Sequence, residues 1–255
     1  MDIEKEIRFF DRFESEHGEY DVLADRSYDR ILDAFARTLR PRPGMTCVDL
    51  GCGTGAFTRR LLRFDLTLTG VDISPLSIER ARTIGGAAYV VGDICDCPLP
   101  AGAYDFVVMS GVLHHLPGPG PRVLSLREAF RLLKPGGRFA SYDPNAASPS
   151  MFLYRDPRSP LYSSDGKTEN EVLLSRAEIA SNLAAAGFAD IRARGLSGIA
   201  YRYVEGRVAR RLLPLYNWIY EPLIRWSPFE KALGTFVVAH ARKPEAAASR
   251  HSPDA

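Results

Sequence analysis

Three glycines alternate with other residues in the segment Gly51–Gly55, and this spacing gives the first indication of chemistry. The segment follows Met45–Leu50, which predicts a strand, and precedes Phe57–Phe64, which predicts a helix. Glycine has no Cβ, so such a loop can turn tightly and bring its backbone N–H groups close to a ligand. A second predicted strand, Leu66–Asp72, ends where an acidic side chain can accept hydrogen bonds from ribose hydroxyls. The pattern indicates a site for a cofactor that contains a nucleoside.

Two classes of cofactor fit this pattern. The segment Gly51–Ala56 also satisfies the dinucleotide fingerprint G-x-G-x-x-G/A, so a nicotinamide cofactor stays open on the glycines alone. Asp49 favours a different cofactor, because a carboxylate at the mouth of the loop would repel a pyrophosphate. S-adenosylmethionine carries an ammonium group and a sulfonium instead, and both are attracted to a nearby anion.

Composition narrows the class of protein. The chain has 255 residues, of which 45% are hydrophobic, enough for one α/β domain with insertions. A formal net charge of +2 gives no electrostatic indication of nucleic-acid binding. The charged start of the chain lacks the apolar segment of a secretory signal, and we find no run long enough to span a bilayer. We therefore expect a cytoplasmic protein with four free thiols and no metal site, since Cys95-Asp96-Cys97 has no second cysteine pair to complete a zinc site.

The rest of the chain alternates predicted helices and strands, which specifies a parallel sheet with right-handed crossovers. The predicted helices lie within residues 1–40, after Ser74-Pro75, over Leu124–Leu133 and over Arg176–Gly187; the further strands are Ala87–Val91, Tyr104–Ser110, Arg138–Tyr142, Ile191–Arg194 and Thr235–Ala241. A turn is expected at Lys134–Gly137.

The same pattern predicts how the chain divides. Residues 1–40 form a helical cap, and residues 41–243 form the main domain. Insertions at about 144–170 and 199–234 are too long and too aromatic for plain connections, and we expect them to form a lid over the substrate. Residues 244–255 are predicted to be a disordered tail.

These ordered motifs, over roughly residues 45–143, resemble the class I S-adenosylmethionine-dependent methyltransferases, and most of all their quinone-biosynthesis and natural-product subgroup. The resemblance implies an α/β, Rossmann-like, doubly wound sheet of seven strands, mostly parallel with a reversed final strand and helical insertions. It also implies S-adenosyl-L-methionine as the cofactor.

The resemblance assigns roles to individual residues. The glycine loop would hold the methionine part of the cofactor and Asp49 its ammonium group, often through water. Asp72 would bind the ribose, while Asp93 would accept a hydrogen bond from the adenine amino group unless it is only a surface turn residue. Ser110 would pass beside the sulfonium unless it only caps a turn. The full implied cofactor-binding set is Asp49, Gly51, Cys52, Gly53, Gly55, Asp72, Ile73, Asp93, Ile94, Ser110, Gly111, Val112 and His115.

Methyl transfer is an in-line displacement whose main requirement is that donor and acceptor are held in contact. A protein base is needed only when the acceptor loses a proton, as a hydroxyl does. His114 and His115 follow the fourth strand and could take that proton, although His115 could instead line the cofactor pocket. Tyr142 and Asp143, past the fifth strand, are further candidates.

The acceptor is expected to be a small molecule. Relatives that methylate nitrogens of nucleic acid or protein often carry an Asn/Asp-Pro-Pro-aromatic run after the fourth strand, where this chain has Ser110–Leu113. An aromatic, partly cationic cavity is predicted from Tyr201, Arg202, Tyr203, Trp218 and Trp226. The block 199–234 could alternatively pack a helical subdomain, or could form a membrane-surface or dimer helix.

Our hypothesis is O-methylation of an aromatic or lipid-like metabolite by a monomer or homodimer without a nucleic-acid partner. The alternatives are N- or C-methylation of a small molecule, an NAD(P)-dependent oxidoreductase, and a non-catalytic scaffold that binds S-adenosylmethionine.

Overall fold

The computed structural model describes residues 3–17, 21–159, 162, 168, 170–202, 204 and 207–245. Its strands are β1 (Thr46–Leu50), β2 (Thr67–Asp72), β3 (Ala88–Val91), β4 (Tyr104–Ser110), β5 (Leu133–Pro144), β6 (Ala189–Leu196) and β7 (Phe236–Arg242). They form one sheet in the order β3-β2-β1-β4-β5-β7-β6. Strands β1 to β5 pair in parallel, and β7 is antiparallel to both β5 and β6. The predicted α/β fold, mostly parallel with a reversed final strand, is confirmed.

Helices cover both faces of this sheet. They are α1 (Ile3–His17), α2 (Asp25–Leu39), α3 (Ala56–Arg60), α4 (Pro75–Ile84), α5 (Pro119–Leu132), α6 (Pro149–Arg155), α7 (Arg176–Ala185), α8 (Arg207–Leu215), α9 (Glu221–Trp226) and α10 (Glu230–Leu233). A π-helical turn, Tyr216–Tyr220, joins α8 to α9 without a break. Short 3-10 helices occupy Leu61–Phe64 and Leu113–His115.

Local sequence accounts for several of these elements. Ser74 caps α4 by accepting a hydrogen bond from the Ser77 backbone N–H, and Pro75 supplies the first helical residue. Strand β4 is apolar along its whole centre because helices cover it on both sides. Phe106 packs with the α2 and α3 side of the core, and Val107 packs with the α5 and α7 side.

Several predicted boundaries differ from the structure. The turn expected at Lys134–Gly137 lies within β5, which begins at Leu133 because that residue pairs with Tyr104; a register shift then absorbs the extra residues before Arg138 pairs with Phe106. The helix expected over Phe57–Phe64 tightens to a 3-10 helix after Arg60. Residues 1–40, which we predicted to be helical, contain the helices α1 and α2.

The segments that we expected to surround the main domain are only partly described. Helix α1 contacts the main domain, where the Ser74 hydroxyl donates to the Asp11 carboxylate over 3.0 Å. The division into cap, lid and tail stays a prediction, and residues 246–255 of the expected tail lie outside the described residues. No helix in the described ranges is both long enough and apolar enough to cross a membrane.

Candidate active site

A cavity of about 300 Å³ opens at the carboxyl ends of β1, β2, β4 and β5. This edge is where open α/β sheets bind ligands. The predicted site residues that line it are Gly51, Cys52, Gly53, Asp72, Ile73, Asp93, Ile94, Ser110, Gly111, Val112, His114, His115 and Tyr142. Folding therefore brings together predicted site residues that are up to 91 positions apart in the sequence, from Gly51 to Tyr142.

The glycine loop has the tight geometry that its sequence predicts. Gly51 adopts a φ of 76°, and a Cβ there would lie 2.6 Å from the Val112 side chain. Gly55 has a φ of 80°, and a Cβ would lie 2.4 Å from the Tyr89 hydroxyl. Any larger residue at either position would have to displace a neighbour. Gly55 itself lies outside the cavity wall, so its role in the described structure is to close the turn.

Asp72 sits at the end of β2 and organises two loops. Its carboxylate accepts hydrogen bonds from the backbone N–H of Gly53 at 2.8 Å and of Ser74 at 2.9 Å. Burial raises the pKa of Asp72, and these backbone N–H donors oppose that rise. Across the cavity, the Asp93 carboxylate accepts from the Cys95 backbone N–H at 2.8 Å. Both carboxylates thus face the cavity from fixed positions.

Asp49 lies below the loop and outside the cavity wall, not at the loop's mouth as the sequence suggested. The reason is its place inside β1, where both neighbouring strands cover it. Its Oδ2 accepts a hydrogen bond from the Thr58 hydroxyl at 2.7 Å, and its Oδ1 has no partner within the described residues. Burial raises the pKa of Asp49 to about 7. Any attraction to a bound cation would therefore act through the loop and would depend on pH.

The affinity for S-adenosylmethionine is accordingly expected to increase between pH 6 and pH 7.5, by about five-fold. Raising the pH ionises Asp49, and the resulting negative charge attracts the cationic ligand. Titration calorimetry with wild type and Asp49→Asn tests this, because the asparagine keeps an acceptor for Thr58 and does not titrate. If the affinity for S-adenosylmethionine depends on pH equally in both proteins, Asp49 does not cause the pH dependence.

The end of β4 brings two histidines into the cavity wall. His114 Nδ1 lies 3.0 Å from the Asp143 carboxylate, which also accepts from the His114 backbone N–H at 3.1 Å. Asp143 is fully buried, and burial raises its pKa to about 8 despite these donors. A carboxylate beside one ring nitrogen orients the imidazole and stabilises its protonated form. The arrangement can serve as a general base.

The side chain of His115 lies against the His114 ring, with the ring centroids 4.1 Å apart, and has further neighbours of its own. Its ring packs edge-on against Phe10 of α1, with the ring centroids 5.4 Å apart, and its Nδ1 lies 3.4 Å from the Thr168 hydroxyl. The Tyr142 ring lies between Phe57 and Phe236, at 5.5 and 5.3 Å. These contacts suit wall residues that shape the cavity.

Sequence reasoning missed a polar pair in the cavity wall. Arg155, at the end of α6, lies 4.0 Å from the carboxylate of Glu171. Arg155 belongs to the insertion 144–170, but no motif or residue spacing indicates that it is a site residue. Glu171 lies one residue beyond the expected end of that insertion. Ile7 and Phe10 of α1 also line the cavity. The one feature of the sequence that could have indicated these two residues is the amphipathic pattern of residues 1–40.

The predicted aromatic cavity is wrong in part. Tyr201 lines the cavity, but the indoles of Trp218 and Trp226 are 72% and 81% exposed and lie outside its wall, as does Arg202. Both tryptophans lie on the outer side of the helical segment because its polar inner side faces the protein. Tyr203 lies outside the described residues. Among the residues that are described, no cluster of three His, Cys, Asp or Glu side chains could hold a metal ion.

The comparisons with known proteins all indicate the same family, the methyltransferases. The family model for a methyltransferase domain matches residues 48–141. An uncharacterized methyltransferase of Synechocystis sp. is 32% identical over 166 residues, which cover 65% of this chain and 76% of the relative. A 27-O-demethylrifamycin SV methyltransferase of Amycolatopsis mediterranei is 33% identical over 138 residues, and the match covers 50% of each protein.

A solved structure from Thermotoga maritima has a similar fold. It is described as an S-adenosylmethionine-dependent methyltransferase, possibly a histamine N-methyltransferase, and it superposes with a TM-score of 0.63 at 21% identity. The match covers 92% of this chain and 98% of that one. At this identity the similarity shows the fold alone.

Proposed function

This chain belongs to the class I S-adenosylmethionine-dependent methyltransferases, and we propose that it transfers the methyl group to an oxygen of a small, aromatic or lipid-like acceptor. The family membership does not support the nicotinamide-dependent alternative. The observation that carries the proposal is the pair formed by His114 and Asp143 at the cavity wall. A base of this kind is required for a hydroxyl acceptor, which loses a proton as the new bond forms.

The residues at the cavity fit the cofactor. Gly51 and Gly53 line the cavity and have positive φ angles, so the loop backbone faces the cavity without side chains at these two positions. Asp72 would accept hydrogen bonds from the ribose hydroxyls, with Asp93 and Ile94 at the adenine. The buried Asp49 Oδ1, which lacks a partner among the described residues, suits a cationic ligand above the loop. When bound, the cofactor supplies an electrophilic methyl group.

The proton then has a defined destination. As the acceptor oxygen bonds to the methyl carbon, its proton would pass to His114 Nε2, and Asp143 would stabilise the imidazolium through Nδ1. The sulfur keeps the electron pair of the bond that breaks. The remaining requirement is that acceptor and methyl group are held in contact, which is the work of the cavity wall.

The part of the cavity away from the glycine loop suits an apolar acceptor with one polar group. The apolar and aromatic residues that line the cavity outside the glycine loop include Tyr28, Met151, Val172, Tyr201 and Phe236. Arg155 and Glu171 add opposite charges there, and they could bind a carboxylate, a hydroxyl or an amine of the acceptor. An amine acceptor is therefore the main alternative, since Glu171 would favour it. The cytoplasmic location, the absence of a nucleic-acid partner and the oligomeric state stay predictions.

The test is methyl transfer to a fractionated metabolite extract with isotope-labelled S-adenosylmethionine, followed by identification of the labelled atom. We expect an O-methyl product, and kcat/KM for the isolated acceptor should rise with pH through a midpoint near pH 8 and level off about one pH unit higher. The sign follows from the Asp143 pKa of about 8, because the pair can accept a proton only after losing one. Asp143→Asn should flatten this rise. An N-methyl or C-methyl product would contradict O-methylation, and binding without transfer to any fraction would favour the scaffold.

A further inference from the structure

The helical segment 207–226 carries an apolar face that points to solvent. The exposed residues Leu215, Trp218, Ile219, Pro222, Leu223 and Trp226 follow one another at spacings of three, one, three, one and three residues. This spacing places them on one side of a helix. We name these six residues the outer stripe. Leu215 is 53% exposed and Leu223 is 66% exposed, and residues three or four apart on a helix are neighbours, so the stripe forms an apolar surface that faces solvent.

The opposite side of the same segment explains why the stripe faces outward. Glu221 is buried and accepts hydrogen bonds from the backbone N–H groups of Gly198 and Ile199. The Tyr216 hydroxyl donates to the same carboxylate at 2.6 Å. Asn217 exchanges two hydrogen bonds with the backbone of Tyr201, at 3.0 and 3.1 Å. The polar face is thus anchored to the protein, and the apolar face cannot turn inward without breaking these bonds.

Positive charge surrounds the outer stripe. Arg207, Arg211 and Arg225 are exposed on the segment, and Arg210 is exposed beside them. The guanidinium of Arg26 lies 5.4 Å from the Trp218 ring. Within the described part of residues 207–233, the two carboxylates are the buried Glu221 and Glu230, which pairs with Arg30. A partner that meets this surface would therefore be apolar in the middle and negatively charged around it.

We propose that the outer stripe docks on the surface of a membrane that contains anionic lipids. Tryptophan prefers the boundary between acyl chains and headgroups, because its ring is apolar and its N–H is polar. Arginine side chains can extend from this boundary to lipid phosphates. An amphipathic helix with tryptophan and leucine on one side and arginines beside them lies flat in such an interface. Docking is independent of the proposed methyl transfer.

The segment also touches the wall of the cavity. Tyr216 packs against Tyr201, with the ring centroids 5.7 Å apart, and Tyr201 lines the cavity. The Ser150 backbone N–H donates to the Tyr220 hydroxyl at 3.3 Å, which connects the segment to α6. If the acceptor is lipid-like, which rests on the proposed function, docking would bring the cavity close to its source.

The experiment uses the full chain and two kinds of vesicle, phosphatidylcholine alone and phosphatidylcholine mixed with phosphatidylglycerol. The chain contains two tryptophans, and both belong to the outer stripe, so the emission of the wild-type protein reports directly on this surface. We expect sedimentation with the mixed vesicles, weakened by salt, together with a blue shift of the tryptophan emission.

Variants separate the apolar and the charged contributions. Replacing Trp218 and Trp226 together by serine should weaken partition by about ten-fold or more. Arg211→Gln and Arg225→Gln should each weaken it by about five-fold. Leu124→Ser and Arg127→Gln are matched controls on the exposed side of α5 and should bind as wild type does. Circular dichroism and calorimetry with S-adenosylmethionine would verify that each variant folds.

Three results would overturn the proposal. The first is the absence of both sedimentation and blue shift with the mixed vesicles. The second is a dimer in analytical ultracentrifugation that the double tryptophan variant abolishes while vesicle binding is absent, which would make the outer stripe a contact between two copies of the chain. Equal binding of the double variant and wild type would likewise remove the stripe from membrane binding.

Discussion

Replacing His114 by glutamine should lower kcat for methyl transfer by about 100- to 10,000-fold, while the affinity for S-adenosylmethionine stays near the wild-type value. The imidazole is held by Asp143 over 3.0 Å at the cavity wall, where an acceptor hydroxyl would lose its proton. Glutamine keeps a polar side chain of similar length but cannot accept that proton at neutral pH. Steady-state kinetics and calorimetry on the same preparation would measure the two quantities separately.

Two matched variants sharpen this test. His115→Gln changes the neighbouring histidine, whose ring contacts Phe10, Thr168 and the His114 ring, and it should alter KM more than kcat. Asp143→Asn should lower kcat to an intermediate level and flatten the pH profile, because the amide orients the ring but does not stabilise an imidazolium. If His114→Gln retains wild-type kcat, the acceptor needs no protein base and the proposed role of this pair is wrong.

Asp72→Ala should weaken binding of S-adenosylmethionine by about 1–3 kcal/mol, which corresponds to about 5- to 150-fold in Kd. The loss has two parts. The ribose would lose its acceptor, and the backbone N–H groups of Gly53 and Ser74 would lose the carboxylate that positions both loops. Titration calorimetry gives the affinity directly.

The matched control for this variant is Asp96→Ala. Asp96 is exposed, follows β3 at the same edge of the sheet and lies outside the cavity wall, so its loss should leave the affinity unchanged. Asp72→Asn should fall between wild type and Asp72→Ala, because the amide retains one acceptor oxygen. An unchanged affinity in Asp72→Ala would exclude Asp72 from the cofactor site.

Much of the fold could be predicted because short segments of the sequence specify individual helices, strands and turns. The apolar run of β4, the Ser74-Pro75 start of α4 and the glycine turn after β1 each specify an element without help from distant residues. Parallel strands joined by helices then place their carboxyl ends at one edge. The sequence could therefore predict that Asp72, Asp93 and His114 would meet there, as the cavity wall shows.

The rest depended on contacts between segments that are distant in sequence. Arg155 and Glu171 become neighbours only through the path of the insertion after β5, which no periodicity describes. The side of the helical segment that faces the protein is chosen by Glu221, whose partners lie more than 20 residues away at Gly198 and Ile199. Trp218 and Trp226 were therefore assigned to the cavity when they belong to the surface. The burial of Asp49 was missed for the same reason, since it depends on strands on both sides of β1.

A crystal structure with S-adenosylhomocysteine would test the central claim most directly. We predict that the ribose hydroxyls lie within hydrogen-bond distance of the Asp72 carboxylate and that the sulfur is directed toward the Ser110–His115 wall, close enough for a methyl group to reach an acceptor beside His114. A ligand bound with its sulfur turned away from His114, or a dinucleotide whose pyrophosphate rests on the Gly51–Gly55 turn, would contradict it.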